Sequence, residues 1–372
     1  MRRRVLFVAR TRYSLPLDES LDRKWSALRA RLDVRVLAAA APGTAGNDGT
    51  FVLFRPRGPK ALDGPLFYLA LPFRVARELR RFRPHAVVAQ SPYEGAAILA
   101  ARLLIRSQAR LVLDVHGDWR TFTRLYGSSL RRLLDPFADR IAAAVVRRAD
   151  AVRTVSDYTS GLVRELGVEP AAVFPAYMDV RSFLDTPPAP LPEAPRALFV
   201  GVLERYKNVD GLATAWRTVA ATVPDATLRI VGAGTLAPIV RELVAELPGR
   251  VSWVERLSPE QVAAELDAAT FLVLPSRSEG MGRVVVEALA RGRPVLGASV
   301  GGIRDLIADG VNGILVGPEP GELADALCNL LQDRQLVERL AAAGREAALP
   351  WILSPEQFAE RQTSLVEGVA TA

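Results

Sequence analysis

Two carboxylates flank a glycine turn in the segment EGMGRVVVE, residues 279–287. The segment follows a short apolar run, FLVLPS at 271–276, which favours a strand, and it leads into a helical pattern. A helix N-terminus presents unpaired backbone N–H groups and the positive end of the helix dipole, so the turn can hold an anion without any side chain. Glu279 falls in the turn and Glu287 about one turn into the helix. The spacing predicts a site for an anionic ligand rich in hydroxyls, whereas the structural alternative is a capping Glu279 and a solvated Glu287.

The composition is that of a folded protein with two domains. The chain has 372 residues, more than one ordinary core accommodates, and 49% of them are hydrophobic. The apolar run VLFVA near the start is too short for a signal peptide, and no apolar stretch is long enough to cross a bilayer. The single cysteine, Cys328, can form no internal disulfide. We therefore expect a cytoplasmic protein.

Positive charge is concentrated in the first half of the chain. Residues 1–185 hold 31 Lys and Arg against 18 Asp and Glu, a net charge of +13, and the rest carries −6. The segment 66–84 combines aromatic residues with five arginines: Arg74, Arg77, Arg80, Arg81 and Arg83. This pattern predicts peripheral docking at the inner face of an anionic membrane, and the alternative is an ordinary amphipathic helix packed on a sheet. The basic half resembles no nucleic-acid-binding module, so we expect no nucleic acid partner.

Short β-branched runs alternate with longer helical stretches on both sides of residues 186–195. The runs are VLFVA, DVRVLA, FVLFR, AVVAQ, RLVLDV and AVRTV, then ALFVG, ATLRIVG, VSWVE, FLVLP, PVLGA and GILVG. Such alternation is typical of parallel sheets covered on both faces by helices. The stretch TPPAPLPEAP at 186–195 predicts a semi-rigid linker, because its prolines fix φ and disfavour helix. We expect an α/β protein of two doubly wound, Rossmann-like domains facing across a cleft.

The second half resembles the nucleotide-sugar-binding domain of the family-4 retaining glycosyltransferases (glycosyl transferases group 1), which have the GT-B fold. The matching motifs are FVGVLERYKNVDGL (199–212), LRIVGAGTL (228–236), LPSRSEGMGRVVVEALARGRPVLGASVGGIRDLI (274–307) and DGVNGILV (309–316). The first half resembles the family more loosely, through LVLDVHGDW (111–119) and ADAVRTVSDYTSGLV (149–163). The resemblance implies an acceptor-binding domain at 1–185, a nucleotide-sugar-binding domain at 196–350, and a closing helix at 351–372 that returns to the N-terminal domain.

The resemblance also implies donor-binding roles in the second half. Lys207 matches a lysine that neutralises the donor diphosphate, Glu279 a contact to the donor sugar, and Glu287 a contact to the ribose. Further donor contacts are implied for the backbone of Gly280, Met281 and Gly282, and for Gly232 and Gly234 beside the nucleoside. Gly301 and Gly302 with Asp305 resemble a later glycine-pair element of the family, in which a longer Glu is usual at the position of Asp305. Many members carry an arginine directly after the first strand, where this chain has Val202. Arg205 is close enough in sequence to replace it.

Roles in the first half follow from the same resemblance. His116 matches a histidine that donates a hydrogen bond to the sugar near the reacting carbon. Asp118 and Trp119 are expected to orient His116 or to line the acceptor pocket. Arg10, Arg12 and Tyr13, in the loop expected after the first strand, suggest an acceptor with acidic or phosphate groups, or a direct contact to the donor diphosphate. His85 is expected to be structural.

The resemblance implies that a sugar passes from a UDP- or GDP-sugar to an acceptor hydroxyl with retention. His116, Lys207 and Glu279 would be catalytic, no metal or cofactor is expected, and the acceptor is expected to be lipid-linked or anionic. One alternative is a non-catalytic sugar-nucleotide-binding protein, which Val202 favours. Another is a nucleotide-sugar epimerase of related fold. A glycoside hydrolase would use Glu279 and Glu287 as its carboxylate pair but would need no phosphate turn.

Overall fold

The chain divides into two compact units. The computed structural model describes residues 2–44, 47–55, 63–120 and 135–371. The first unit comprises Met1–Tyr177 together with Leu353–Ala372, and the second comprises Met178–Ile352. The proline-rich segment 186–195 therefore lies within the second unit, and the chain passes between the units after Tyr177 and again after Ile352.

A parallel sheet forms the centre of the first unit. Its order across the described residues is β3-β2-β1-β4-β5-β6-β7. The strands are β1 Arg4–Tyr13, β2 Asp33–Ala40, β3 Phe51–Phe54, β4 Ala86–Ala89, β5 Arg110–Val115, β6 Ala151–Thr154 and β7 Ala172–Val173. The helices are α1 Glu19–Arg31, α2 Asp63–Phe82, α3 Pro92–Ile105, α4 Asp135–Arg148 and α5 Asp157–Arg164, together with a C-terminal helix, Pro355–Thr371.

Both faces of this sheet are buried, as the near-continuous apolar strands predict. Along β1 the side chains alternate between two cores. Leu6 and Val8 pack with α2, α3 and α4 on one face. Val5 and Phe7 pack with α1 and the C-terminal helix on the other. The C-terminal helix thus completes the core of the first unit.

A second parallel sheet forms the centre of the other unit, with the order β10-β9-β8-β11-β12-β13 in the described residues. The strands are β8 Arg196–Val200, β9 Thr227–Val231, β10 Val251–Val254, β11 Phe271–Leu274, β12 Val295–Ala298 and β13 Gly313–Val316. The helices are α6 Arg181–Leu184, α7 Val209–Thr222, α8 Ala237–Glu246, α9 Pro259–Asp267, α10 Arg283–Ala290, α11 Ile303–Leu306, α12 Pro320–Gln332, α13 Arg334–Ala342 and α14 Gly344–Ala348. Two 3₁₀ turns, Arg205–Lys207 and Leu349–Trp351, complete it.

Every strand predicted from the sequence is present, but the first one is longer than predicted. β1 continues to Tyr13, with a register shift between Val8 and Arg12, and Tyr13 pairs with Ala40 of β2. The prediction of a loop over these residues is therefore wrong. An irregularity of this kind lets a strand continue past residues that break the apolar pattern. The short strand β7 was not predicted, because no apolar run marks it in the sequence.

The strand order reverses direction at one place in each sheet, and such switch points create a crevice at the carboxyl ends of the strands. In the first sheet the switch lies between β1 and β4, and in the second between β8 and β11. Residues that follow β4 and β5 include Ser91 and His116, and residues that follow β8 and β11 include Lys207 and Glu279. The topology thus places the predicted site residues at the two crevices.

Buried arginines hold the proline-rich segment against the second unit. Arg291 donates to the carbonyls of Thr186 and Pro187 at 2.8 and 3.0 Å, and it pairs with Asp267. Arg293 donates to the carbonyls of Ala189 and Pro190 at 2.8 and 3.1 Å. Prolines leave these carbonyls without helical or sheet partners, and the guanidinium groups supply the missing donors.

Helix α2 carries an exposed face of mixed character. Leu66, Leu69 and Phe73 are exposed and recur at three- and four-residue spacing, so they lie on one face of the helix. Arg77 and Arg80 continue the same exposed face. None of the helices within the described ranges combines the length and the apolar composition that a membrane span needs.

Candidate functional site

The centre of the candidate donor site is an ion pair between two poorly hydrated side chains. Lys207, in the 3₁₀ turn after β8, brings its Nζ to 2.5 Å from Oε2 of Glu279, which follows β11. The two side chains are only 10% and 16% exposed. The hydroxyl of the buried Ser276 lies 3.5 Å from the same carboxylate oxygen. The structure therefore brings together the predicted lysine and glutamate, although 72 positions separate them in the chain.

Arg277 stabilises the 3₁₀ turn Arg205–Lys207, which carries Lys207. Its guanidinium donates two hydrogen bonds of 2.9 Å to the carboxylate of Asp210 and one of 2.8 Å to the carbonyl of Arg205. Its backbone N–H donates to the carbonyl of Tyr206 at 2.7 Å. A bidentate arginine–carboxylate pair fixes direction as well as distance. Arg277 therefore holds the turn that presents Lys207, a role that the sequence analysis did not assign.

The predicted turn at 280–282 lies against a second glycine-containing loop. Gly301, with φ of +54°, packs so closely that a Cβ there would come within 2.2 Å of the carbonyl oxygen of Glu279. A Cβ on Gly302 would come within 2.0 Å of the carbonyl oxygen of Gly280. In the described part of the chain no acceptor takes a hydrogen bond from the N–H of Met281 or Gly282. The second loop thus braces a turn whose donors stay available to an anion.

Gly232 and Gly234 are explained by contact between loops. A Cβ on Gly232 would lie 1.8 Å from the carbonyl oxygen of Gly201, and one on Gly234 would lie 2.4 Å from that of Leu203. Glu204 completes the contact by accepting hydrogen bonds from the N–H and hydroxyl of Thr235 at 3.0 and 2.6 Å. These glycines therefore let the loop after β9 pack on the loop that carries Lys207. Their predicted approach to a nucleoside stays a prediction.

The remaining predicted donor residues differ in how they are held. Glu287 is half-buried on α10, and burial raises its pKa, while Arg283 on the same helix opposes that rise. Arg205 is exposed, and its guanidinium makes no hydrogen bond or ion pair within the described residues. Val202, directly after Gly201, is also exposed. Arg205 is thus a free cation two residues from Lys207.

A pocket of about 360 Å³ opens at the switch point of the first sheet. Its wall includes three predicted residues: His116, Asp118 and Trp119. It also includes Arg10, which the sequence predicted as a contact to an anionic acceptor or to the donor diphosphate, and three residues that the sequence analysis missed: Tyr68, Tyr93 and Glu94. Aromatic rings and a few polar groups are the usual lining of a small-molecule site. The pocket has room for one or two small rings.

His116 lies next to a buried ion pair between Asp114 and Arg153. Asp114, two residues earlier on β5, pairs with Arg153 of β6 at 3.2 Å. The Nε2 of His116 lies 3.9 Å from Asp114 Oδ2, too far for a hydrogen bond, and the imidazole remains 39% exposed. Burial of the rest of the ring, together with the charges of Arg153 and Lys24, lowers the pKa of His116. The imidazole is therefore neutral at physiological pH and can donate a hydrogen bond from one nitrogen.

Glu94 could have been found from a local signal. The residues Ser91-Pro-Tyr-Glu94 follow β4, and a serine three residues before a glutamate is the signature of a helix start. Ser91 caps α3, and its hydroxyl is hydrogen-bonded to Glu94. The other carboxylate oxygen of Glu94 accepts from the hydroxyl of Tyr68 at 3.0 Å. Asp118 is engaged by Arg120 at 3.0 Å and by Tyr158 at 3.3 Å.

Arg12 and Tyr13 lie away from this pocket wall. Tyr13 is buried among the rings of Trp25 and Phe51, and burial raises its pKa to about 12. Arg12 is ion-paired with Asp63 at 2.5 Å. Both residues belong to β1, where Tyr13 is part of the core and the side chain of Arg12 remains 52% exposed. Arg10, the third residue behind the prediction of an acidic or phosphorylated acceptor, does line the pocket, so that acceptor stays a prediction. His85 has the predicted structural role, since its Nδ1 accepts from the N–H of Arg4 at 3.0 Å.

Two family models match the two halves of the chain in turn. Residues 25–180 match the model described as Glycosyltransferase Family 4. Residues 194–333 match the model described as Glycosyl transferases group 1. The chain belongs to the family-4, group 1 glycosyltransferases. The predicted family of this glycosyltransferase is thereby confirmed.

Curated relatives of the glycosyltransferase carry different names. An alpha-D-kanosaminyltransferase from Streptomyces kanamyceticus is 29% identical over 72% of this chain and 73% of its own length. A D-inositol 3-phosphate glycosyltransferase from Geodermatophilus obscurus is 33% identical over 77% of this chain and 59% of its own length. Another, from Nocardia farcinica, is 36% identical over 45% of this chain and only 40% of its own length. The match thus spans less than two thirds of both D-inositol 3-phosphate glycosyltransferases.

Solved structures resemble the glycosyltransferase along its whole length. A sucrose-phosphate synthase from Thermosynechococcus elongatus superposes with a TM-score of 0.78 at 20% identity, covering 100% of both chains. HepE from Anabaena, solved in complex with UDP-glucose, superposes with a TM-score of 0.70 at 19% identity, covering 97% of this chain and 99% of its own. At sequence identities of 19% and 20%, the structural similarity is evidence for the fold alone. The predicted α/β GT-B fold is confirmed.

Potential metal ligands are dispersed in the glycosyltransferase. Among the residues that the structure describes, no group of three or more His, Cys, Asp or Glu side chains could hold a metal ion. The absence of a metal requirement stays a prediction.

Proposed function

We propose that the protein transfers a sugar from a UDP- or GDP-sugar to an acceptor hydroxyl, with retention of configuration and without a metal. The bond between the anomeric carbon and the diphosphate oxygen breaks, and the acceptor oxygen bonds to the same face of that carbon. The acceptor proton passes to the leaving phosphate, so no enzyme nucleophile is required. The anomeric coupling constant of the product, measured by NMR, tests the stereochemistry.

The Lys207–Glu279 pair beside the turn 280–282 carries this proposal. Negative charge builds on the leaving diphosphate, and the groups that could stabilise it are Lys207, the exposed Arg205 and the N–H groups of Met281 and Gly282. Fixed donors and cations in a poorly hydrated site give the largest electrostatic stabilisation of a transition state. Glu279 and the half-buried Glu287 would accept hydrogen bonds from sugar and ribose hydroxyls.

The acceptor side of the reaction is assigned to the pocket of the first unit. A neutral His116 can donate a hydrogen bond to a sugar hydroxyl without adding charge. Tyr68, Tyr93 and Trp119 offer flat surfaces for the apolar face of an acceptor ring. Arg10 is the exposed cation of this wall, and its guanidinium lies 5.8 Å from the Tyr68 ring centre.

Peripheral docking on an anionic membrane is part of the proposal. The exposed face of α2 supports it, because Leu69 and Phe73 are 71% and 69% exposed beside the exposed Arg77 and Arg80. An apolar strip flanked by arginines fits the boundary between acyl chains and anionic headgroups. A lipid-linked acceptor would then lie at the same surface.

Nucleotide binding is the first test of the donor site. We expect the wild type to bind one of UDP, GDP and ADP by calorimetry in the presence of EDTA. Lys207→Ala should weaken that binding roughly 10- to 100-fold, because it removes one charge-assisted contact to phosphate. Arg217→Ala is the matched control, since it removes an exposed arginine that pairs with Glu246 elsewhere on the second unit.

The outcomes separate the alternatives. Failure of the wild type to bind any of the three nucleotides would contradict the proposal. Binding without sugar transfer to any acceptor in a broad screen would favour a non-catalytic sugar-nucleotide-binding protein. Conversion of the nucleotide sugar in the absence of an acceptor would favour an epimerase.

A further inference from the structure

Glu279 is paired with Lys207 and therefore competes with the donor anion that Lys207 is proposed to bind. We propose that Glu279 makes the donor site discriminate against the bare nucleoside diphosphate in favour of the sugar-bearing form, by competing for Lys207. This inference rests on the proposed function. It concerns the balance between donor binding and product release at the same site.

The geometry makes the competition strong. The 2.5 Å contact joins a full positive and a full negative charge, and neither side chain is well hydrated. Charges that have lost water depend on their partner for stabilisation. Arg277, which holds the turn that presents Lys207, is itself paired with Asp210. In the protein without ligand, Lys207 is therefore neutralised before any phosphate arrives.

A bare diphosphate must overcome this neutralisation. If the phosphate displaces Glu279, the carboxylate loses its charged partner in a poorly hydrated place. If Lys207 bridges both groups, the carboxylate and the phosphate repel each other at short range. Either way the carboxylate weakens the binding of a ligand that carries phosphates alone.

A donor sugar changes the balance because its hydroxyls can donate to Glu279. Hydrogen bonds to a carboxylate are among the stronger ones, so they offset the loss of the Lys207 contact. The sugar-bearing nucleotide is then penalised less than the nucleoside diphosphate that remains after transfer. The pair would keep the product from occupying the site and would leave donor affinity largely intact.

Glu279→Gln separates the two effects, because it removes the charge and keeps the shape. For the nucleoside diphosphate that the wild type binds best among UDP, GDP and ADP, we expect the variant to bind roughly tenfold more tightly by calorimetry. The affinity of the corresponding nucleotide sugar should not improve, so the preference for the sugar-bearing form should fall. Glu246→Gln is the matched control: it removes an exposed carboxylate that pairs with Arg217 elsewhere on the second unit, and it should change neither affinity by more than about twofold.

Thermal unfolding gives a second readout. Without ligand, Glu279→Gln leaves Lys207 poorly hydrated and without its charged partner, so its melting temperature should fall. The same saturating concentration of nucleoside diphosphate should then raise the melting temperature more in the variant than in the wild type, because the stabilisation by a ligand grows with the logarithm of its concentration divided by Kd. Glu279→Asp, whose shorter side chain draws the carboxylate away from Lys207, should shift both measurements in the same direction and by less.

Failure of the inference differs from failure of the proposed function. If the wild type binds a nucleoside diphosphate and Glu279→Gln binds it equally or more weakly, the competition is refuted and the donor site stands. If neither protein binds any nucleotide, the donor site itself falls. If Glu279→Gln does not fold, Glu279→Asp replaces it: tighter binding of the nucleoside diphosphate supports the competition, and equal or weaker binding refutes it.

Discussion

Burial of a single ionisable side chain makes the stability of the protein depend on pH. Glu94 is buried in the wall of the first-unit pocket, and burial raises its pKa to about 7, against the hydrogen bond from Tyr68 that lowers it. The folded protein therefore keeps a proton on Glu94 that the unfolded chain releases at lower pH. A proton bound more tightly in the folded state stabilises at low pH, and that stabilisation is lost as pH rises.

Glu94→Gln should remove this dependence. The wild type loses the Glu94 contribution as pH rises from the unfolded pKa of 4.5 to about 7. Between pH 5 and 8, the free energy of unfolding of the wild type should therefore fall by roughly 2–3 kcal/mol relative to that of the variant. Urea unfolding of both proteins at pH 5 and at pH 8 measures the difference. An equal change in both proteins would show that Glu94 titrates normally.

Residue types predicted the donor site better than the acceptor site. Lys207 and Glu279 come from motifs whose order along the chain is distinctive, and the structure brings them into contact. Tyr13 was misjudged because a strand that continues through a polar stretch cannot be told from a loop by its pattern. Glu94 was missed as a pocket residue because its local signal, Ser91-Pro-Tyr-Glu94, indicates only a helix start, and the fold alone brings it into the same pocket as His116.

At the scale of elements, alternation and turn chemistry were enough to predict the strands. The apolar runs of a parallel sheet are long and repetitive, and each is bounded by glycine, proline or charge. The behaviour of 186–195 could not be predicted in that way. Its prolines exclude helix, but whether such a segment is free depends on donors supplied from elsewhere in the chain. Arg291 and Arg293, about a hundred positions later, supply them.

Arg291→Ala should release the proline-rich segment. The substitution leaves Asp267 without its closest partner and the carbonyls of Thr186 and Pro187 without donors. Breaking a buried ion pair in this way costs about 3–5 kcal/mol, which should appear in urea unfolding of the second unit and as faster proteolysis at 186–195. Arg334→Ala is the control, because Arg334 also donates to a carbonyl of the segment, that of Pro192, but is exposed. Similar losses in the two variants would contradict a special role for burial.

At the scale of the whole molecule, the two halves of the sequence differ in charge. Residues 1–185 carry +13 and the remainder −6. The exposed face of α2 concentrates part of that positive charge beside exposed apolar side chains. Neither property is needed to hold the first sheet together, because the buried side of α2 already packs in the core. Both properties fit the proposed membrane docking.

Vesicle flotation tests that docking. At low salt the protein should float with phosphatidylserine vesicles and not with phosphatidylcholine vesicles, and high salt should release it. The double variant Leu69→Ser with Phe73→Ser should lose much of the binding, whereas Leu103→Ser, an equally exposed apolar position on α3, should retain it. If the protein does not float with phosphatidylserine vesicles at low salt, membrane docking is refuted.

The second unit is inserted into the sequence of the first. Residues 178–352 form one continuous stretch, whereas the first unit consists of the two segments on either side of it. These two segments of the first unit lie together near the insertion point, since the ring of Tyr177 is 6.1 Å from that of Phe358. The second unit can therefore be produced as a single polypeptide, and a short peptide that joins the two segments should restore a continuous first unit. Independent production of the two units would let the proposed donor and acceptor sites be engineered separately and then recombined.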